Sequence, residues 1–101
     1  MGKASIDLDQ FRALMTAAGY DEVLERTWAP STVLDTHTHP FEANALVVQG
    51  EMWLAIDGAD PRRLLPGDTF HVQPGVPHAE KYSAQGATYW VARKNVPATS
   101  R

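Results

Sequence analysis

From Asp7 to Ala18 apolar side chains fall at Leu8, Phe11, Leu14, Met15 and Ala18, the three-to-four spacing of one helix face, with Asp7 and Asp9 at the start and Gly19 beyond the end. The spacing predicts one short amphipathic helix over about 7–18. After Gly19 the pattern changes to short runs with strand character: EVLERTW, STVLDT, ALVVQ, EMWLAI, TFHVQ, AEKYS and ATYWVAR. Between them stand AP, HP, QG, DG, PG twice and QG again, all turn or breaker pairs. Many short strands at near-regular spacing predict an all-β sandwich or small barrel over about 20–94. No repeat, linker or low-complexity segment divides the chain, so residues 1–101 read as one domain with NVPATSR as a loose tail over 95–101.

In EMWLAID, alternation puts Met52, Leu54 and Ile56 on one face and Glu51, Trp53, Ala55 and Asp57 on the other. Trp53 therefore sits where charge is expected. Two placements suit it: beneath the N-terminal helix, or against a second copy in a homodimer.

A chain of 101 residues has room for one core and not two. Nine Lys and Arg against twelve Asp and Glu give a net charge of -3 without a basic stripe, so nucleic acid is not an expected partner. With no cysteine, any metal must be held by nitrogen and oxygen. The start MGKASIDLDQFR lacks the continuous apolar segment of a signal peptide, and no stretch approaches the roughly 20 apolar residues of a membrane span. A cytoplasmic protein with no membrane partner is the expectation.

The candidate chemistry lies in two stretches. DTHTHPFEANALVVQG carries His37 and His39, which on a strand would share one face while Thr38 points away. PGDTFHVQPGVPH ends in His78, its path set by the turn residues Gly67, Pro74, Gly75 and Pro77. Neutral imidazole is a ligand for zinc, iron, nickel and copper. From His78, alternation carries Glu80 and Tyr82 onto the same face, whereas His71 has the opposite parity to the apolar pair Phe70 and Val72 and falls outside the site. A carboxylate in an apolar cavity must be paired, orient a histidine, or exchange protons with a ligand.

These stretches resemble the two motifs of the cupins, small β-barrel proteins of the jelly-roll type. His37, His39 and Gly50 stand in the frame of the first motif; Gly67, Gly75 and His78 in that of the second, with Gln73 where a proline is usual. The likeness runs from about Asp35 to Tyr82. It implies a small closed barrel with one divalent metal ion, iron, zinc, nickel or manganese, on His37, His39 and His78. The motif's glutamate falls on Ala43 or, by the longer spacing, Asn44, so Glu42 becomes a fourth ligand only if a bulge turns it inward.

Two functions follow from the resemblance. As an enzyme, the three-His centre would act on a small chelating substrate by dioxygenase-like or isomerase-like chemistry, with Glu80 or Tyr82 handling protons. As a sensor, it would bind a small ligand without turnover. The expected pocket wall is Met52, Leu54, Ile56, Phe70 and Trp90 or its strand neighbours, and the resemblance also favours a homodimer.

Overall fold

In a computed structural model, which describes residues 6–95, the chain forms one helix and six strands. Helix α1 spans Leu8–Ala17, one residue inside each predicted end. Asp7 caps it: its carboxylate accepts from the Gln10 amide at 2.8 Å, and the Gln10 side chain accepts from the Asp7 amide at 2.9 Å. Only Phe11 of the predicted stripe is buried, against Leu46, Trp90 and Ala92, while Leu14 is 56% exposed. The helix thus covers Trp90, not Trp53.

The strands are β1 (Glu22–Trp28), β2 (Val33–His37), β3 (Glu42–Ile56), β4 (Arg62–Leu64), β5 (Thr69–Val72) and β6 (His78–Lys94). All pairs are antiparallel in the order β1-β6-β3-β4, with β2 also on β6 and β5 also on β3. This is the expected all-β jelly roll with one short helix, but hydrogen bonding leaves the sheet open instead of closing it. The tail expected over 95–101 lies, beyond Asn95, outside the described residues.

Two of the expected turns are bends within long strands. ALVVQ and EMWLAI join through Gly50 into β3, and AEKYS and ATYWVAR join through Gly86 into β6. Both glycines have positive φ, 81° and 71°, and the β3/β6 register slips beside Gly50. The bend brings backbones together: a Cβ on Gly50 would collide with the Gly86 carbonyl, and one on Gly86 with the Trp28 carbonyl. Beyond the bend, the second half of β6 lies across the cavity from the first. Trp28 stacks on Tyr82 at 5.5 Å between centroids, and its indole N–H donates to the Tyr89 hydroxyl at 3.1 Å.

The remaining turns follow their sequence signals. Asp57 and Gly58, both at positive φ, make the turn that leaves β3, closed by the Ala59 amide on the Ile56 carbonyl at 3.0 Å, within a connection over 57–61 that leads to β4. Pro66-Gly67 and Pro74-Gly75 each place a glycine at positive φ before an i+3 amide that returns to the preceding carbonyl, the type II arrangement.

Because the bend needs glycine, Gly50→Ala should cost about 2 kcal/mol or more, a fall in Tm on the order of 10 °C for a domain of this size. A side chain at Gly58 meets nothing within 4 Å, so Gly58→Ala should cost only about 1 kcal/mol. Thermal unfolding followed by circular dichroism compares the two, and equal losses would contradict the close approach.

Candidate metal centre

His37 ends β2 directly opposite His78, the first residue of β6, so strand pairing sets these two side by side. His39 lies just past β2 in a loop, not on the strand as expected. Its carbonyl accepts from the Gly75 amide at 2.8 Å, which ties the histidine loop to the turn that delivers His78. Ligand nitrogens of the three imidazoles all lie within 4.8 Å of one another. Nitrogens sharing one tetrahedral ion at about 2.1 Å stand about 3.4 Å apart, so closing onto an ion draws each ring inward by less than about 1 Å.

The ring orientations suit a metal. His37 Nδ1 lies 2.7 Å from the Asp35 carbonyl and His78 Nδ1 3.0 Å from that of Val76. A carbonyl can only accept, so each Nδ1 carries the proton and each Nε2 keeps its lone pair for the centre. His39 stacks on Phe41 with centroids 4.8 Å apart at 14°. Burial first, then the imidazoles of His78 and His37 and the cations of Arg93 and Arg26, lower its pKa to about 4. His39 is therefore neutral near pH 7. The three residues form a donor set that can hold one metal ion.

Glu80 is buried beside them, as alternation from His78 predicted. One carboxylate oxygen, Oε2, lies 3.5 Å from His37 Nε2 and 3.8 Å from His78 Nε2. The other, Oε1, accepts a hydrogen bond from the Tyr82 hydroxyl. Tyr82 is among the most deeply buried side chains, and desolvation, then the nearby Tyr89 and Glu80, raise its pKa far above the ordinary tyrosine value. Its phenol stays protonated.

Glu42 does not join the three imidazoles. It faces the outside of β3, where its Oε2 meets His71 Nε2 at 2.5 Å and accepts from the Tyr20 hydroxyl at 3.1 Å. The His71 hydrogen bond holds its carboxyl below the usual range, and Tyr20 adds to this. His71 sits with it, away from the centre, as its parity predicted.

The histidines open on a cavity of about 120 Å³. Its apolar wall includes Leu34, Ala43, Phe70, Val72 and Val91, with Tyr89 beside them. Of the expected wall, Phe70 is present, whereas Met52 and Leu54 belong to the core behind it and Ile56 packs against that core. Trp90 points to the outer face under α1, its indole N–H donating to Glu25 at 3.0 Å; its neighbours Tyr89 and Val91 point inward. Arg26 and Arg93 also line the cavity and had no place in the expected site, though β1 carries a period-two signal in Leu24, Arg26 and Trp28.

The profile of the Cupin domain matches residues 24–92. No curated protein matches the chain. Among solved structures, the DMSP lyase DddQ from Ruegeria pomeroyi DSS-3 is 26% identical with a TM-score of 0.70, over 77% of this chain and 40% of that one. An RmlC-like cupin from Shewanella frigidimarina NCIMB 400 is 24% identical with a TM-score of 0.63, over 77% of this chain and 67% of that one. Bacillus subtilis oxalate decarboxylase, a protein with Mn(II) centres, is 18% identical with a TM-score of 0.61, over 78% of this chain and 22% of that one. The chain thus spans about two-fifths of the lyase it resembles.

A pH dependence follows from His39. Folded, it takes up a proton near pH 4; unfolded, at its ordinary 6.5. Between these values the unfolded chain binds more protons, so stability is full above about pH 6.5 and declines as pH falls toward 4. The Tm of metal-free protein should fall across that window, and fall less in His39→Gln. A wild-type Tm that holds constant from pH 6.5 to 4.5 would contradict the burial of a neutral His39.

Proposed function

The chain belongs to the cupin family, and we propose that it is a metal-dependent enzyme that moves a proton on a small chelating substrate. His37, His39 and His78 hold the ion in this reading. A divalent ion on three imidazoles supplies Lewis acidity and open coordination positions. The observation that carries the proposal is the placement of Glu80, with Oε2 turned toward the Nε2 atoms of His37 and His78. Tyr82 is the positioning residue: by occupying Oε1 it leaves Oε2 free to take a proton and return it. Stacking of Trp28 on Tyr82 keeps that pair away from bulk water.

Proton-transfer chemistry of the lyase or isomerase kind uses this carboxylate directly. Dioxygen chemistry, the other expectation for a three-His centre, does not require it. The lyase among the similar structures points the same way. A sensor that only holds its ligand has no use for a proton acceptor fixed at the centre.

Elemental analysis of untagged protein should find one equivalent of divalent metal in the wild type, little in His39→Ala and a full complement in Glu80→Gln. The zinc-loaded wild type should exchange the methyl protons of pyruvate, a small chelating probe, into deuterated water, as read by NMR. Glu80→Gln should lower that rate by about 100-fold or more. Equal metal in wild type and His39→Ala would overturn the centre; exchange no faster than with free zinc would overturn the enzyme in favour of a passive binder.

We also propose that a second copy covers the outer face around Trp53. Trp53 and Ala55 of β3, Val33 of β2 and Pro61 line a hollow of about 340 Å³, and Val33 is 61% exposed. Trp53→Glu should convert a dimer into a monomer by leaving a charge unpaired in the contact. Sedimentation of a monomeric wild type would exclude the pairing.

A further inference from the structure

Arg26 presents an unanswered charge to the cavity. On β1 it shares the inward face with Leu24 and Trp28, and its guanidinium lies over the Trp28 ring, 4.8 Å from the centroid. Among the described residues no carboxylate stands within ion-pair distance of it. Arg93 reaches the same cavity from the end of β6, 4.8 Å above the Phe41 ring, with one edge held by Glu22 at 3.3 Å. Phe41 in turn stacks on His39, so Arg93, Phe41 and His39 form a continuous column into the histidine group.

The charges in this space decide what it can accept. Arg26 and Arg93 contribute two positive charges, and Glu80, the one carboxylate among the described residues that line the cavity, together with Glu22 on Arg93, contributes two negative ones. They cancel until a divalent ion is added, and then two positive charges remain in a confined, partly apolar space. Such a surplus is costly unless an anion enters with the ligand. A guanidinium packed over an aromatic ring keeps a planar fork of donors that fits two oxygens of one anionic group.

Building on the metal centre proposed above, we propose that the cavity selects a small carboxylate, bound between the metal side and Arg26, with Arg93 as the second cation. Size and wall restrict it further. The volume of about 120 Å³ equals that of roughly four water molecules, room for a ligand of a few carbon atoms. The walls of Leu34, Phe70, Val72 and Val91 suit an aliphatic chain better than a fully hydrated phosphate.

Calorimetric titration of the zinc-loaded full chain tests this with malonate, its neutral analogue malonamide, and inorganic phosphate. Malonate should bind at least about tenfold more tightly than either. Arg26→Gln should weaken malonate by about 10- to 100-fold, weaken malonamide less, and leave zinc stoichiometry unchanged. Arg26→Lys, which keeps the charge but loses the fork, should fall between, and Arg12→Gln on the exposed helix should have no effect. Normal zinc uptake with malonate and malonamide indistinguishable would overturn the carboxylate site while the metal centre stands. Tighter binding of phosphate would overturn the choice of carboxylate. If no zinc is taken up, the metal centre fails, and the same titrations on metal-free protein decide the anion site: an Arg26-dependent preference for malonate supports it, and its absence overturns it.

Discussion

Two long strands, β3 and β6, hydrogen-bond to each other on both sides of a bend, and the bend is possible only because glycines stand at 50 and 86. Before it, β6 carries His78, Glu80 and Tyr82 on its inner face; after it, Tyr89, Val91 and Arg93. In a straight strand, alternation would put the two groups on opposite faces of the sheet, because 78, 80 and 82 differ in parity from 89, 91 and 93. With the bend they become opposite walls of one cavity, and β1 and β2, which pair with the two halves of β6, add Arg26, Trp28 and His37. The site is thus a consequence of backbone packing at two residues that carry no side chain.

Desolvation then sets the state of two groups in that cavity: His39 stays neutral near pH 7 and Tyr82 stays protonated. The carbonyls of Asp35 and Val76 fix which ring nitrogen of His37 and His78 faces the centre as an acceptor. Tyr82, buried and protonated, turns one edge of Glu80 into an acceptor already in use and leaves the other to the centre. Glu42, three residues from His39 in the chain, is spent on the opposite face with His71 and Tyr20. Its side of β3 was decided by strand parity, and no bulge intervenes there. In space, the carboxylate beside the histidines comes from the second motif strand.

Much of this was legible in local pattern. The helix ends were readable because Asp7 and Gly19 are cap residues, and His37, His39 and His78 because turn residues at fixed offsets surround them. Two features were not. Glycine after a strand run signals a turn and a bend alike, so the local pattern divides β3 and β6 into two strands each; what distinguishes the cases is the partner backbone, which lies far away in sequence. After Gly86 both faces of β6 are covered, one by the cavity side and one by α1, so ATYWVAR lacks the alternation that would have placed Tyr89 inside and Trp90 outside. Arg26 and Arg93 carry no local signal for a related reason: their meeting depends on β1 pairing with the far half of β6.

The proposed chemistry depends on three imidazoles converging on one ion. X-ray absorption of the full chain loaded with one equivalent of zinc reads the ligands directly. It should show about three nitrogen neighbours at roughly 2.0–2.1 Å with the outer-shell scattering of imidazole rings. A first shell of oxygen alone, without imidazole scattering, would contradict it.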